Sequence, residues 1–184
     1  MLESSKRSLI IETATDLFSK FGYHAVGVDY IIKEAEVSKK TLYKHFSSKE
    51  NLIIAVLKQR DYECQISLKD KLGEETDALK KLELIFDWHN EWFNTQTFTG
   101  CLFAKAATEF PDKGEEIHKI AANQKQTLIT RITEIVEELL PNQNAENIAS
   151  VIMMLLDGAT LSAQLMGNQN SAKDAWDAAK KLLI

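Results

Sequence analysis

Residues 28–49, VDYIIKEAEVSKKTLYKHFSSK, constrain the fold of this chain more than any other stretch. They read as two short helices joined by a tight turn, followed by the start of a third. Val28, Ile31, Ile32 and Ala35 recur at helical spacing and give the first of these helices one apolar face. Ser38 is a suitable N-cap for the second, over residues 39–46. At 1.5 Å per residue that helix is about 12 Å long, close to the width of a B-DNA major groove. Leu42 and Phe46 lie one turn apart and point inward. Lys40 and Lys44 then point away from the core, with Thr41 and Tyr43 on the flanks. Lys39 and His45 lie nearer the buried side, from which long side chains reach past the helix edge. The outer face therefore offers ammonium, phenol and hydroxyl groups, which suit phosphate oxygens and base edges.

A solvated lysine face is the plain reading of such a cluster taken alone. Here it is joined to helix-turn-helix spacing, and residues 37–49 carry four lysines and no acid in a chain of formal charge −5. Charge is also uneven along the chain. Residues 1–60 have a net charge of +3 and residues 61–184 a net charge of −8. That split suits a polyanion-binding end and an acidic body held away from phosphates.

The motifs Phe21-Gly22-Tyr23, Val28-Asp29-Tyr30-Ile31, residues 37–46 (VSKKTLYKHF) and residues 48–52 (SKENL) resemble the N-terminal domain of TetR-type transcriptional regulators. The resemblance covers about residues 6–55, and the helical remainder matches the family in outline. It implies a homodimer that docks one recognition helix per subunit into successive major grooves of double-stranded DNA at a palindromic operator. Carried over residue by residue, it assigns Lys39, Tyr43, His45 and Lys49 to phosphates, and Lys40, Thr41 and Lys44 to bases or their neighbourhood. Ser38, at the helix start, belongs to the same DNA-binding set. Three positions depart from the usual pattern. Lys40 stands where many relatives have glycine, which changes the expected base preference. Gly27 replaces a hydroxyl residue at the start of the second helix, and Glu36 replaces a common turn glycine, which implies a slightly different turn.

Length, composition and punctuation define the rest. A chain of 184 residues can bury one sizeable core or two small units. Seven glycines and two prolines leave little room for turn-rich β architecture. The expected fold is all-α, with about nine helices: a three-helix helix-turn-helix DNA-binding domain over residues 1–50, the helix-turn-helix itself spanning about 29–46, then a helical ligand-binding and dimerisation domain over 51–184. Beyond the motif, helices are expected over 5–20, from 48 towards 72, and over 76–94, 101–110, 115–140, 144–166 and 171–183. Ile10, Ala14, Leu17, Phe18 and Phe21 form the first helix's apolar face. The polar start MLESSKRS is unlike a signal peptide, and the strongest apolar run, residues 151–156, is too short to span a bilayer. Two cysteines make no disulfide framework, so a cytoplasmic protein without membrane contact is expected.

The last two long helices offer a dimer interface. On a broad apolar surface that also takes in Ile148, Val151 and Leu165, the expected interface residues are Ile152, Leu155, Leu156, Ala159 and Ala163, and Ala175 and Ala179 add a seam of small residues. Their plainer role is intrachain core, which some of them must serve. The family resemblance implies a four-helix dimer bundle here and an unknown small-molecule effector in the middle of the chain. Candidate pocket residues are Trp88, His89, Trp92, Phe93, Cys101 and Phe103, although an aromatic stripe at helical spacing is more often core. His89 and His118 have no metal-ligand companions at useful spacing, so no metal and no cofactor are expected. Cys101, at a helix start, raises the alternative of redox or electrophile sensing.

No glycine-rich phosphate loop, zincin pattern or nucleophile elbow is present, so no catalytic residues and no enzyme class find support. A helical interaction module without specific DNA binding would have no reason to display four lysines together. The reading is a repressor of transcription, released from a palindromic operator by the effector.

Overall fold

The structure is a computed structural model that describes residues 2–183, with side chains from residue 5 onward. Among these residues it contains nine α-helices, a terminal 3-10 helix and no strand. The helices are α1 (Leu2–Phe21), α2 (Val28–Glu34), α3 (Lys39–His45), α4 (Lys49–Leu72), α5 (Ala78–Phe93), α6 (Leu102–Glu109), α7 (Glu116–Leu139), α8 (Ala145–Met166) and α9 (Ser171–Ala179), with the 3-10 helix over Lys180–Leu182. Several boundaries follow local chemistry. Ser38, Asp77 and Asn144 cap α3, α5 and α8 by accepting a backbone N–H three residues on. Gly167, in the left-handed region at φ +66°, ends α8.

The chain divides into two compact units. The first comprises the residues up to Glu63 together with Cys101–Gln124; the second comprises Cys64–Gly100 and the residues from Lys125 onward. In the first, Ile10, Ala14, Leu17, Phe18, Tyr23, Ile31, Leu42, Leu52, Ile53 and Val56 are buried together. Phe21 departs from its expected place on the inner face of α1: it is 55% exposed and lies against Tyr30, ring centroids 6.2 Å apart. The helix ends beside it at Gly22, so no further turn covers the ring.

In the second unit, α5, α8 and α9 pack on one another. Leu82, Ile85, Phe86 and Phe93 of α5 meet Ala149, Ile152, Met153 and Leu156 of α8 and Ala172, Trp176 and Ala179 of α9. Leu79 of α5 stays exposed. Helix α8 is the one described helix long and apolar enough, by length and composition, to cross a membrane. Its strongest apolar run is short, but alanine, glycine and uncharged polar residues continue the apolar character along the helix. Eight of its residues are buried within the fold.

Candidate nucleic-acid interface

The turn between α2 and α3 is formed without glycine. Glu36 adopts φ +49°, the left-handed conformation that glycine takes at little cost. The sequence departure at this position therefore leaves the left-handed turn in place and loads it with strain of about 1 kcal/mol. Ala35 and Val37 close the turn with N–H bonds to the carbonyls of Ile31 and Ile32. Gly27 precedes α2 in extended backbone and supplies no side-chain cap.

Helix α3 is held by two anchors and a cap. Leu42 is fully buried and Phe46 nearly so, with the Arg7 guanidinium over the Phe46 ring at 5.3 Å. The Ser38 hydroxyl accepts from the Thr41 N–H at 3.1 Å and lies 2.8 Å from the Thr41 hydroxyl. With these positions fixed, Lys39, Lys40, Tyr43 and Lys44 are exposed, while Thr41 and His45 are half-buried. Lys39 pairs with Asp29 of α2 at 3.4 Å, both side chains largely in solvent. Such a pair contributes little to stability and exchanges readily for a phosphate.

Lys49 is the first residue of α4. The Ser48 hydroxyl accepts from the Asn51 N–H at 3.2 Å, capping the helix. The Glu50 carboxyl is held below its usual range, first by its own backbone N–H and then by the Ser48 hydroxyl. The Lys49 ammonium donates to the His24 carbonyl at 3.5 Å. All eight expected DNA-binding residues thus lie within one compact unit, on α3, at its N-cap or at the first residue of α4. An open cleft of about 550 Å³ borders this region, lined by His45, Phe46, Arg7, Asn51 and Lys58 among others.

The six expected pocket residues divide between the two units. Trp88, His89, Trp92 and Phe93 cluster on α5, whereas Cys101 and Phe103 belong to the first unit. None of the six lines the cleft beside α3. His89 is buried, donates from Nδ1 to the Ile85 carbonyl at 2.8 Å, and has Trp88 edge-on at 5.0 Å. Its pKa is lowered to about 4, chiefly because burial removes water from the charged form. Trp88 donates to the Ser67 hydroxyl, and Trp92 and Phe93 both contact Phe98. His118 lies 2.8 Å through Nδ1 from the Phe110 carbonyl. Cys101 is the N-cap of α6 and is half-buried.

Of the seven expected dimer residues, Ile152, Leu156, Ala159, Ala163, Ala175 and Ala179 are buried in their own chain, and Leu155 is half-buried. Apart from Met166 at its end (75% exposed), the large apolar residues that α8 leaves in solvent are Met154 (63%), Leu161 (54%) and Leu165 (73%). With half-buried Val151 and exposed Gly158 they form the series 151, 154, 158, 161 and 165, a coiled-coil-like alternation of three and four. That spacing was available in the sequence. It was hidden because α8 is apolar on most sides.

Known proteins share this fold. The family model described as "Bacterial regulatory proteins, tetR family" matches residues 10–56, and "Tetracyclin repressor-like, C-terminal domain" matches residues 78–179. The chain is similar to the transcriptional activator FasR of Mycolicibacterium smegmatis, 37% identical over 87 residues covering 45% of this chain and 40% of that one. It is also similar to the transcriptional regulator RutR of Escherichia coli K12, 46% identical over 56 residues covering 30% of this chain and 26% of that one. The matched stretches thus span less than half the length of either relative. Among solved structures, SCO4454, a TetR-family transcriptional regulator from Streptomyces coelicolor, superposes with a TM-score of 0.93 at 27% identity, covering 98% of this chain and 95% of that one.

Proposed function

The chain belongs to the TetR family of bacterial regulatory proteins, and we propose that it binds a palindromic DNA operator as a homodimer and leaves it when a small-molecule effector binds. The observation that carries this reading is the capped, doubly anchored α3, which leaves Lys39, Lys40, Tyr43 and Lys44 exposed on one short helix. Lys39, Tyr43, His45 and Lys49 hold phosphates. Lys40, Thr41 and Lys44 read bases, and Ser38 fixes the start of the reading helix. Residues 1–50 act as the DNA-binding domain, and residues 51–184 as the ligand-binding and dimerisation domain, with no reaction assigned to either.

Dimerisation is supported by the series of half-buried Val151 with exposed Met154, Gly158, Leu161 and Leu165, an apolar stripe that a second copy would cover. Gly158 has open space where a side chain would stand, which admits close approach of a partner helix. Two subunits double the phosphate contacts and read half-sites about one helical turn apart. Regulation is a two-state equilibrium. The effector prefers the conformation whose recognition helices no longer match the operator, and by linkage DNA disfavours the effector. Repression, action in the cytoplasm on nucleoid DNA, and an effector site near Trp88, His89, Trp92 and Phe93 complete the proposal. Cys101 supports a second reading, a sensor thiol, because it caps α6 with no side-chain cap bond of its own. A Cys101→Ser variant that keeps its response to oxidant excludes that reading.

Selection of binding sites from fragmented genomic DNA with the purified protein tests the main reading. A recovered palindrome supports it. Binding that is salt-sensitive and independent of sequence removes the operator from the proposal, and no binding removes DNA.

A further inference from the structure

The turn between α1 and α2 is clasped by one face of α6, within the first compact unit. Glu109 reaches this turn from the end of α6. Its Oε1 accepts from the Tyr23 backbone N–H at 2.9 Å and its Oε2 from the His24 N–H at 2.6 Å. The His24 Nδ1 lies 3.4 Å from the same Oε2, with the imidazole edge-on to Phe110 at 4.8 Å. Gly22 makes this approach possible: it adopts φ +85°, and a Cβ there would come within 2.8 Å of Glu109 Oε1. One turn back on α6, the Lys105 ammonium donates to the Ser19 carbonyl. Another turn back, the Leu102 carbonyl accepts from the buried Tyr23 hydroxyl at 3.0 Å. Burial first, then the neighbouring Cys101 and Glu109, raise the Tyr23 pKa, so the phenol remains a donor.

His24 is also bonded on its other side. While its N–H is given to Glu109, its carbonyl accepts from the Lys49 ammonium at 3.5 Å. A single peptide segment thus links a carboxylate on α6 to the lysine at the start of α4. We propose that Glu109 is a positioning residue for DNA binding: by clamping the Tyr23–His24 backbone it holds the His24 carbonyl, and through it the Lys49 ammonium, in place for a phosphate. The inference rests on the reading of Lys49 as a phosphate contact. Charge-assisted bonds to two backbone donors make this clamp stronger than an ordinary turn contact. It also gives any displacement of α6 a route to a DNA-binding side chain.

A double-mutant cycle on the full-length protein tests the proposal, using a duplex of arbitrary sequence at low ionic strength, since a phosphate contact needs no particular bases. Glu109→Gln should weaken binding roughly tenfold, the effect of one charge-assisted hydrogen bond. In a Lys49→Ala background the same change should matter less than about twofold, because its only route to DNA is gone. Amide exchange should accelerate at Tyr23 and His24 and stay unchanged at Leu42 and Phe46. If Glu109→Gln does not fold, Glu109→Asp, one methylene shorter, takes its place in the same cycle. Additive losses, or full affinity in the single variant, overturn the positioning role while leaving the DNA reading intact. A wild-type protein that binds no duplex removes both.

Discussion

Helices α3 and α8 differ in how their apolar residues are arranged. In α3, two large apolar residues, Leu42 and Phe46, define the inside, so every cation is assigned to the outside. In α8, apolar residues occur all round. Ile152, Leu156 and Ala163 face the chain's own core, whereas Met154, Leu161 and Leu165 face solvent. A helix with one apolar stripe declares which side is buried. A helix with two stripes leaves open which of them meets its own chain and which meets a second copy.

The sharpest way to break this comparison is to change one residue on each stripe of α8, with a charge on the outer one and a cavity on the inner one. Leu161→Glu should leave the fold intact, yield a monomer in sedimentation, and weaken operator binding by roughly 10²–10⁴ through lost avidity. Leu156→Ala, on the inner stripe, should instead cost about 2–5 kcal/mol of stability in denaturant unfolding. A dimeric Leu161→Glu protein with full affinity would remove the exposed stripe from the interface.

The second prediction concerns the body alone. His89 is held neutral when folded, at a pKa of about 4, against an ordinary value of 6.5. Its folded pKa is the lower one, so the unfolded chain binds the extra proton. Stability is therefore fully present above about pH 6.5 and is lost as pH falls towards 4, by about 3 kcal/mol in the limit. His89→Gln should flatten that acid limb in urea titrations between those pH values. An unchanged limb assigns the acid sensitivity to other groups.

On α3 the effects are smaller and differ in kind. Lys40→Ala or Lys44→Ala should change the preferred base at one position of the half-site, by about 1–3 kcal/mol. A site motif identical to the wild type would take base reading away from that lysine. The smallest change sharpens the turn between α2 and α3. Glu36→Gly should relieve the left-handed strain and stabilise by about 0.5–1 kcal/mol, less what glycine loses in the unfolded state. Destabilisation would mean that Glu36 makes a contact worth more than its strain.

What could be read in the sequence follows from the same contrast. The helix-turn-helix was legible because its caps, turn and anchors lie within one continuous stretch, and because Lys39, Lys40 and Lys44 are exposed. Helix boundaries elsewhere were legible to within a few residues, because caps such as Asp77, Asn144 and Gly167 act locally. Phe21 was misplaced because periodicity extends an apolar face up to a helix end, where no packing partner follows. The division of α8 into inner and outer stripes depends on where α5 and α9 lie, which a single helix does not encode. Glu109 carried no signal, since its partner His24 is 85 residues away and the bond is made to backbone. A carboxylate near the end of a short helix ordinarily reads as solvated surface.

The most direct measurement is the dependence of DNA association on salt, for the wild type and for the Lys39→Ala, Lys49→Ala double variant. Two phosphate contacts in each of two subunits should flatten the slope of log K against log salt concentration by about 4. That result would establish α3 and the start of α4 as the phosphate-binding face. An unchanged slope, with the variant folded and dimeric, would contradict the assignment of DNA binding to this surface.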